Sequence, residues 1–271
     1  MVSSGDKMSF LEIKNVWKSY GDVQILERLN LTVEQGEFVS MVGASGCGKS
    51  TFLNMLLGQE NPTKGSILLQ GKPLIQEPDK ERGIVFQRYS VFPHLTVLQN
   101  VMIADEFSQS KIFGWVFGIK KTVIKAKAQE FIDAVGLTQA VNKYPHELSG
   151  GMQQRLAIAQ ALMKAPKILL LDEPFGALDP GIRADMHVLI RDVWKKNNLT
   201  IFMVTHDIKE GFELGSRLWV FDKVRHDPQA PNAYGAQVSY DLDLSSGANC
   251  PDTKALVAEI AAKEVAQEET T

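Results

Sequence analysis

The sequence predicts an α/β protein: a core of parallel strands, an antiparallel β subdomain and an inserted helical subdomain. Three observations predict it. Residues 10–33 carry period-2 patches, in which Leu11 and Ile13 alternate with Glu12 and Lys14, and Leu29, Leu31 and Val33 alternate with Asn30, Thr32 and Glu34. These read as half-buried antiparallel strands. Four short apolar runs, FVSMV (38–42), GIVF (83–86), ILLL (168–171) and IFMV (201–204), are too continuous for a one-sided sheet. Such runs suit parallel strands covered on both faces. Third, GASGCGKS (43–50) directly follows the first run and precedes the helical stretch FLNMLLG, with Gly58 as its stop. It matches G-x-x-x-x-G-K-[ST], which makes the core a P-loop NTPase core.

The remaining elements follow in order. ILLQGKP (67–73) adds a strand and a turn to the antiparallel part. IKAKAQEFIDAVGL (124–137) places Ala128, Phe131, Ile132 and Val135 on one helical face, with Gly136 where a C-cap belongs. A second helix is predicted from Ser149 as N-cap through Leu156, Ala159 and Met163, stopped by Pro166. Residues from about 88 to 164 therefore read as a helical subdomain within a domain spanning 1–225. Residues 226–271 read as a C-terminal extension. It comprises a polar, Pro-containing loop (226–237), a possible edge strand (240–244) and an Ala/Glu-rich helical tail (252–267).

What ends each apolar run carries the chemistry. The first runs into the glycine loop, the second into Gln87, the third into Asp172 and Glu173, and the fourth into Thr205 and His206. Open α/β sheets bind ligands at the carboxyl edge of their strands. The candidate nucleotide loop is Gly43, Ala44, Ser45, Gly46, Cys47, Gly48, Lys49, Ser50 and Thr51. Its backbone N–H groups wrap a β-phosphate, Lys49 reaches the β/γ oxygens, the Ser50 hydroxyl ligates Mg²⁺, and the helix N-terminus favours the anion. Cys47 sits where a thiolate is favoured. Asp172 is placed to hold magnesium through water, and Glu173 to orient and polarise an attacking water. His206 is placed to sense or stabilise the γ-phosphate, and Gln87 to bridge magnesium and water.

Composition excludes several classes. With 271 residues, 44% of them hydrophobic and 23% charged, the chain reads as an ordinary globular protein. Its formal net charge of −3 argues against nucleic acid as the partner. Cys47 and Cys250 form no disulfide framework, which points to a reducing compartment. No window holds eighteen consecutive apolar residues, and the first twenty residues lack a signal-peptide run, so work at a membrane is expected to go through a partner.

A second glycine motif, LSGGMQQR (148–155), raises the question of why one nucleotide needs two such loops. Together the motifs resemble the ATP-binding subunit of an ABC transporter. The resemblance covers about residues 10–222 and rests on Tyr20, GASGCGKST, Gln87, LSGGM, ILLLDEP, ALD (177–179) and TH (205–206), in the family's order. YPHELSGGMQQR and LLLDEPFGALDP resemble importer subunits of the nitrate/sulfonate/taurine group.

The resemblance implies that Tyr20 stacks on adenine, that Ser149, Gly150 and Gly151 meet the γ-phosphate, and that Asp179 couples two sites. It implies a head-to-tail dimer, of identical or closely related chains, in which the loop of one chain and the LSGG of the other sandwich one ATP. The second loop then serves the partner's nucleotide. It further implies permease subunits that span the membrane, a solute-binding protein outside the cell acting indirectly, and a place on the cytoplasmic face of the plasma membrane. The solute implied is a small nitrogen- or sulfur-containing anion or amide.

The alternative is a DNA-repair or chromosome-maintenance ATPase. That class places long heptad coiled coils between Gln87 and the LSGG helix, whereas here only 61 residues without heptads intervene. No N-K-x-D base-reading motif follows the loop, which disfavours a GTPase. Three stretches depart from the family pattern. FSQSKIFGWVFGIKK (107–121) is long and apolar, and its Trp115 and Phe117 are expected at a surface that docks the permease or the lipid headgroup edge, the alternative being local core of the helical subdomain. IKEGFELG (208–215) puts Gly211 and Gly215 in an expected helix. VFDKVRHDPQAPNAYGAQ (220–237) is unlike the family's short ending.

Overall fold

The computed structural model describes residues 9–75, 77, 79–86, 91–109, 119–225, 227, 229–230 and 232–245, with the backbone alone at 106–109 and 119–120. Gln87, Trp115, Phe117, Cys250 and the 252–267 tail lie outside the described residues. The elements in chain order are β1 (Leu11–Tyr20), β2 (Val23–Val33), β3 (Phe38–Val42), α1 (Lys49–Leu57), β4 (Lys64–Leu69), β5 (Lys72–Pro73), β6 (Arg82–Val85) and α2 (Val97–Gln109). There follow α3 (Ile119–Ala134), α4 (Gly150–Leu162), β7 (Ile168–Asp172), α5 (Pro180–Asn197), β8 (Thr200–Val204), α6 (Ile208–Leu214), β9 (Arg217–Asp222) and β10 (Gln237–Asp243). They fall into two compact units, 1–78 with 200–271, and 79–199.

The first unit holds an antiparallel sheet in the order β2-β1-β4-β5. Leu11 pairs with Val33 and Ile13 with Leu31, so the alternating residues read from the sequence share one buried face. The β4–β5 turn is made by Gln70 (φ 51°) and Gly71 (φ 75°), two left-handed residues whose twist matches that of the flanking strands. The unit's other strands run in the order β10-β9-β3-β8. β3 pairs parallel with both β8 and β9, and every residue of β3 and β8 is buried. Phe52 of α1 packs edge-on to Trp219 at 6.1 Å between ring centroids, which anchors the helix over the strands. β10 pairs antiparallel with β9 and confirms an edge strand here, three residues earlier than the pattern suggested. Charge lines this edge: Asp241 accepts from Arg217 at 2.6 Å.

Two stretches that the sequence left without a reason acquire one. A Cβ on Gly211 would lie 3.0 Å from Leu218 Cδ1 and 3.2 Å from Val42 Cγ1. A side chain there would press on both neighbours, so glycine lets α6 ride close over β3 and β9. The helix-propensity cost of glycine, about 1 kcal/mol relative to Ala, is offset by burial of Ile208 and Phe212 against Val42, Leu218 and Val220. Residues 232–236 do not form a free polar loop. They pair along the edge of β2, with Gln24 N–H donating to Asn232 O (3.0 Å), Ala236 N–H to Ile25 O (2.8 Å) and Glu27 N–H to Ala236 O (3.0 Å).

In the second unit β6 and β7 pair parallel, Val85 opposite Leu171. The described elements between residues 91 and 162 are helical. α3 buries Ala128 and Ile132, with Val135 just beyond its end, and Gly136 takes φ 71° there. Ser149 caps α4, accepting from Met152 N–H at 3.4 Å. Two helices were not anticipated. α2 is anchored by buried Val97, Val101 and Asn100, whose amide donates to the carbonyls of Phe92 and Leu95. α5 starts at Asp179-Pro180, a residue pair suited to N-cap and N1, and buries Met186, Ile190 and Val193. No helix among the described residues is long and apolar enough to cross a membrane.

Candidate functional site

In the first unit, β3 delivers the chain into the glycine loop and α1 takes it out. Gly48, the residue that caps α1, has φ 88° and receives no side-chain cap. A Cβ there would lie 2.7 Å from Leu26 Cδ2 and 2.9 Å from Ile25 Cγ2, so glycine is required by conformation and by space. Lys49 is buried, and its Nζ donates to Gly43 O at 2.5 Å and Ala44 O at 2.9 Å. The ammonium thus lies inside the curve of the loop, where an incoming phosphate can take over from the carbonyls as its partner. Ser45, Gly46 and Ser50 are exposed on the same loop.

Tyr20 ends β1 and is 47% exposed, an aromatic face open to solvent. Its hydroxyl donates to Glu60 Oε2, and it hydrogen-bonds Thr51 on the first turn of α1. Burial and the Glu60 carboxylate push the Tyr20 phenol up. Lys18 Nζ lies 4.8 Å from the ring centroid and 2.9 Å from Glu60 Oε2. This Lys18–Tyr20–Glu60 bracket was missed in the sequence, because Glu60 is 40 residues from Tyr20 and carries no local signal.

His206 follows β8, the neighbour of β3, and is exposed. Its turn is tightly held. Buried Thr205 donates from N–H to Met41 O at 3.1 Å and from its hydroxyl to buried Glu210. The same hydroxyl accepts from Asp207 N–H at 3.1 Å, and Asp207 caps α6.

In the second unit, Asp172 ends β7 and Glu173 follows it, both half-buried. Glu173 has φ 47°, a left-handed conformation uncommon for a residue with a side chain and frequent at functional sites. The β6–β7 register brings the end of β6, which leads to Gln87, alongside Asp172. Ser149 and Gly150 are exposed at the start of α4. Gly151 is buried, and a Cβ there would lie 2.4 Å from Ile182 Cγ2. Asp179 is exposed at the N-cap of α5 without capping it through its side chain.

One expectation is corrected. A helix N-terminus lowers a thiol's pKa, but Cys47 is buried, and burial pushes its thiol up against the downward pull of the Lys49 ammonium. Its thiolate is therefore scarce at neutral pH. Alkylation is expected to be slow at pH 7, to quicken as pH rises past the ordinary thiol range, to abolish ATPase activity and to be prevented by MgATP. Inactivation of Cys47→Ala at the same rate would assign the effect to another group.

A strand–glycine loop–helix unit with a buried lysine at the helix start defines a phosphate-loop nucleotide-binding protein. The chain matches the ABC transporter family over residues 26–176. It is 44% identical over 216 residues to the bicarbonate transport ATP-binding protein CmpD of Synechocystis, covering 78% of this chain and 73% of that protein. To the aliphatic sulfonates import ATP-binding protein SsuB of Bacillus anthracis it is 42% identical, covering 76% of each chain. Among solved structures it superposes on a dimeric ATP-binding cassette in a post-hydrolysis state bound to ADP and phosphate. There the TM-score is 0.67 and the identity 30%, over 86% of this chain and 98% of that one. The chain belongs to the ABC transporter family. It is an ATP-binding, ATP-hydrolysing subunit of the importer type, related to the sulfonate group that its motifs resemble.

Proposed function

We propose that the chain powers import of a small anion by binding and hydrolysing ATP between two ATP-binding subunits. The observation that carries this is the β3–loop–α1 unit with Lys49 Nζ held inside the loop by Gly43 O and Ala44 O. ATP displaces those carbonyls: Lys49 swings its charge onto the β- and γ-phosphates while N–H groups from Gly43 to Thr51 close around them. Tyr20, braced by Glu60 and Thr51, presents its ring to adenine. Asp172 and the Ser50 hydroxyl, with Gln87, are oxygen donors that suit Mg²⁺; the ion when bound neutralises phosphate charge. Glu173 accepts a hydrogen bond from the attacking water and turns its lone pair toward the γ-phosphorus, with His206 on the γ-phosphate oxygens. Ser149, Gly150 and Gly151 meet the γ-phosphate held by the partner subunit's loop, and Asp179 links the two sites.

The domain organisation is an ATP-binding domain at 1–225, with its helical subdomain at about 88–164, and a C-terminal extension at 226–271. The dimer partner is an identical or closely related chain. The helical subdomain docks on permease subunits at the cytoplasmic face of the membrane, and a solute-binding protein outside the cell acts through them. The anion rests on the bicarbonate and sulfonate named for the two relatives. Lys49→Ala tests the site. It is expected to reduce ATP binding and hydrolysis to background with the melting temperature within a few degrees of wild type. ATP binding unchanged in that variant would overturn the reading.

A further inference from the structure

We propose that Glu27 is a positioning residue for nucleotide binding, clamped by Arg225, Gly235 and Gln237 so that β2 braces the back of the phosphate loop. The inference rests on the reading of that loop as the ATP site. Glu27 is 1% exposed, an unusual place for a carboxylate unless it is paired. Its donors come from one segment. Arg225 donates to Oε1 through Nη2 (2.5 Å) and Nε (3.2 Å), Gln237 donates to Oε1 through Nε2 (2.6 Å), and Gly235 N–H donates to Oε2 (3.4 Å). Tyr234 lies against the Arg225 guanidinium at 4.3 Å and holds it in place. Burial alone would raise the carboxyl pKa, but the hydrogen bonds from Arg225, Gln237 and Gly235 outweigh it and hold Glu27 ionised.

The segment also touches the backbone of β2 itself. A Cβ on Gly235 would lie 2.9 Å from backbone atoms of Ile25 and Leu26, so the segment runs too close to β2 for a side chain at that position. The N–H and C=O groups of Ala236 bond Ile25 O and Glu27 N–H. The side chains of the same two residues, Ile25 and Leu26, pack against Gly48, the residue that sets the start of α1 and immediately precedes Lys49. Val23, at the start of β2, pairs with Tyr20. Ile25, Leu26 and Glu27 are therefore gripped by the clamp, and the first two of them also pack against the start of the nucleotide helix.

Edge protection alone would also explain a segment laid along β2. The two roles separate in kinetics. A clamp that holds the loop in its binding-competent shape contributes no phosphate contact of its own. Loosening it lowers the competent fraction and raises the apparent dissociation constant by the inverse of that fraction. Turnover at saturating ATP is then unaffected.

The test measures KM, kcat and the dissociation constant for ATP in wild type, Arg225→Ala, Glu27→Gln, the double variant, and Arg225→Lys. Arg225→Ala and Glu27→Gln are each expected to raise KM and Kd roughly three- to tenfold, with kcat within about twofold of wild type. The double variant is expected to equal the worse single one, since both break the same clamp, and Arg225→Lys to recover part of the loss. Val193→Ala, a cavity at a buried side chain of α5 in the other unit, serves as a control for general destabilisation and is expected to lower the melting temperature with KM unchanged. A lowered melting temperature in Arg225→Ala and Glu27→Gln with KM and Kd at wild-type values would overturn the proposal and leave edge protection. Lys49→Ala in the same assay separates the two readings. If it binds ATP normally the site itself is misassigned, whereas if it fails to bind while Arg225→Ala binds as wild type, only the clamp is wrong.

Discussion

Glu173→Gln is expected to bind ATP as wild type and to hydrolyse it roughly 10²- to 10³-fold more slowly, the range for losing a positioned base or a preorganised charge. The physical reason is local. Glu173 stands at the carboxyl end of β7, half-buried, in a left-handed backbone conformation that is costly for a residue with a Cβ. Glutamine keeps the size and the hydrogen-bonding shape but loses the negative charge proposed to draw a proton from water. If ATP joins two subunits until it is split, as proposed, slowing hydrolysis shifts the population toward the dimer. Size exclusion with saturating MgATP is expected to show the variant as a stable dimer and wild type as a mixture that returns to monomer as ATP is consumed. Hydrolysis at the wild-type rate, or a variant that stays monomeric, would remove Glu173 from the catalytic assignment.

The second large effect concerns shared sites. Lys49→Ala leaves a chain with a defective phosphate loop and a sound LSGG segment; Ser149→Arg leaves the reverse. Ser149 is exposed at the N-cap of α4, so arginine there is accommodated by the fold while its bulk fills the space proposed for the partner's phosphate. Each variant alone is expected to trap no ATP, since every site in its homodimer carries a lesion. A mixed dimer has one site built from two sound halves and one built from two damaged halves, so it is expected to trap ATP at one site of the two. Trapped nucleotide is the readout, because turnover stays low where both sites fire together. A mixture that forms mixed dimers and traps no more ATP than the separate variants would mean that the LSGG segment acts on its own chain's nucleotide or on none.

How much of this was legible in the sequence differs element by element. FVSMV, ILLL and IFMV each became a buried parallel strand within a residue or two of the predicted ends, and GIVF became β6 shifted by one residue. A strand covered on both faces has to be apolar at consecutive positions, so its burial is written in a window of five residues. The cap at Ser149 and the positive φ at Gly136 were equally local. α2 and α5 were overlooked although α5 opens on Asp179-Pro180, because their buried stripes are interrupted by Asn100 and His187, and a broken stripe is weak evidence without the surface it packs on. The phosphate loop, the acidic pair after β7 and His206 were legible as candidates, since their residue types follow directly on strand ends.

The sequence by itself determined the strand–loop–helix unit, the alternating strands of the antiparallel sheet and the order of the nucleotide-binding motifs, because each depends on residues adjacent in the chain. Tertiary structure alone decided the rest. A Cβ on Gly235 would lie 2.9 Å from the backbone of β2, and one on Gly211 would lie 3.2 Å from Val42 of β3, so the need for glycine at both is set by strands far away in the chain. Cys47 has a raised thiol pKa although it sits at a helix start, because packing around the loop removes it from water and desolvation outweighs both the helix N-terminus and Lys49. Glu27 sits in a strand pattern as one more polar residue. Its meaning comes from Arg225, 198 positions later, and no local window contains both charges.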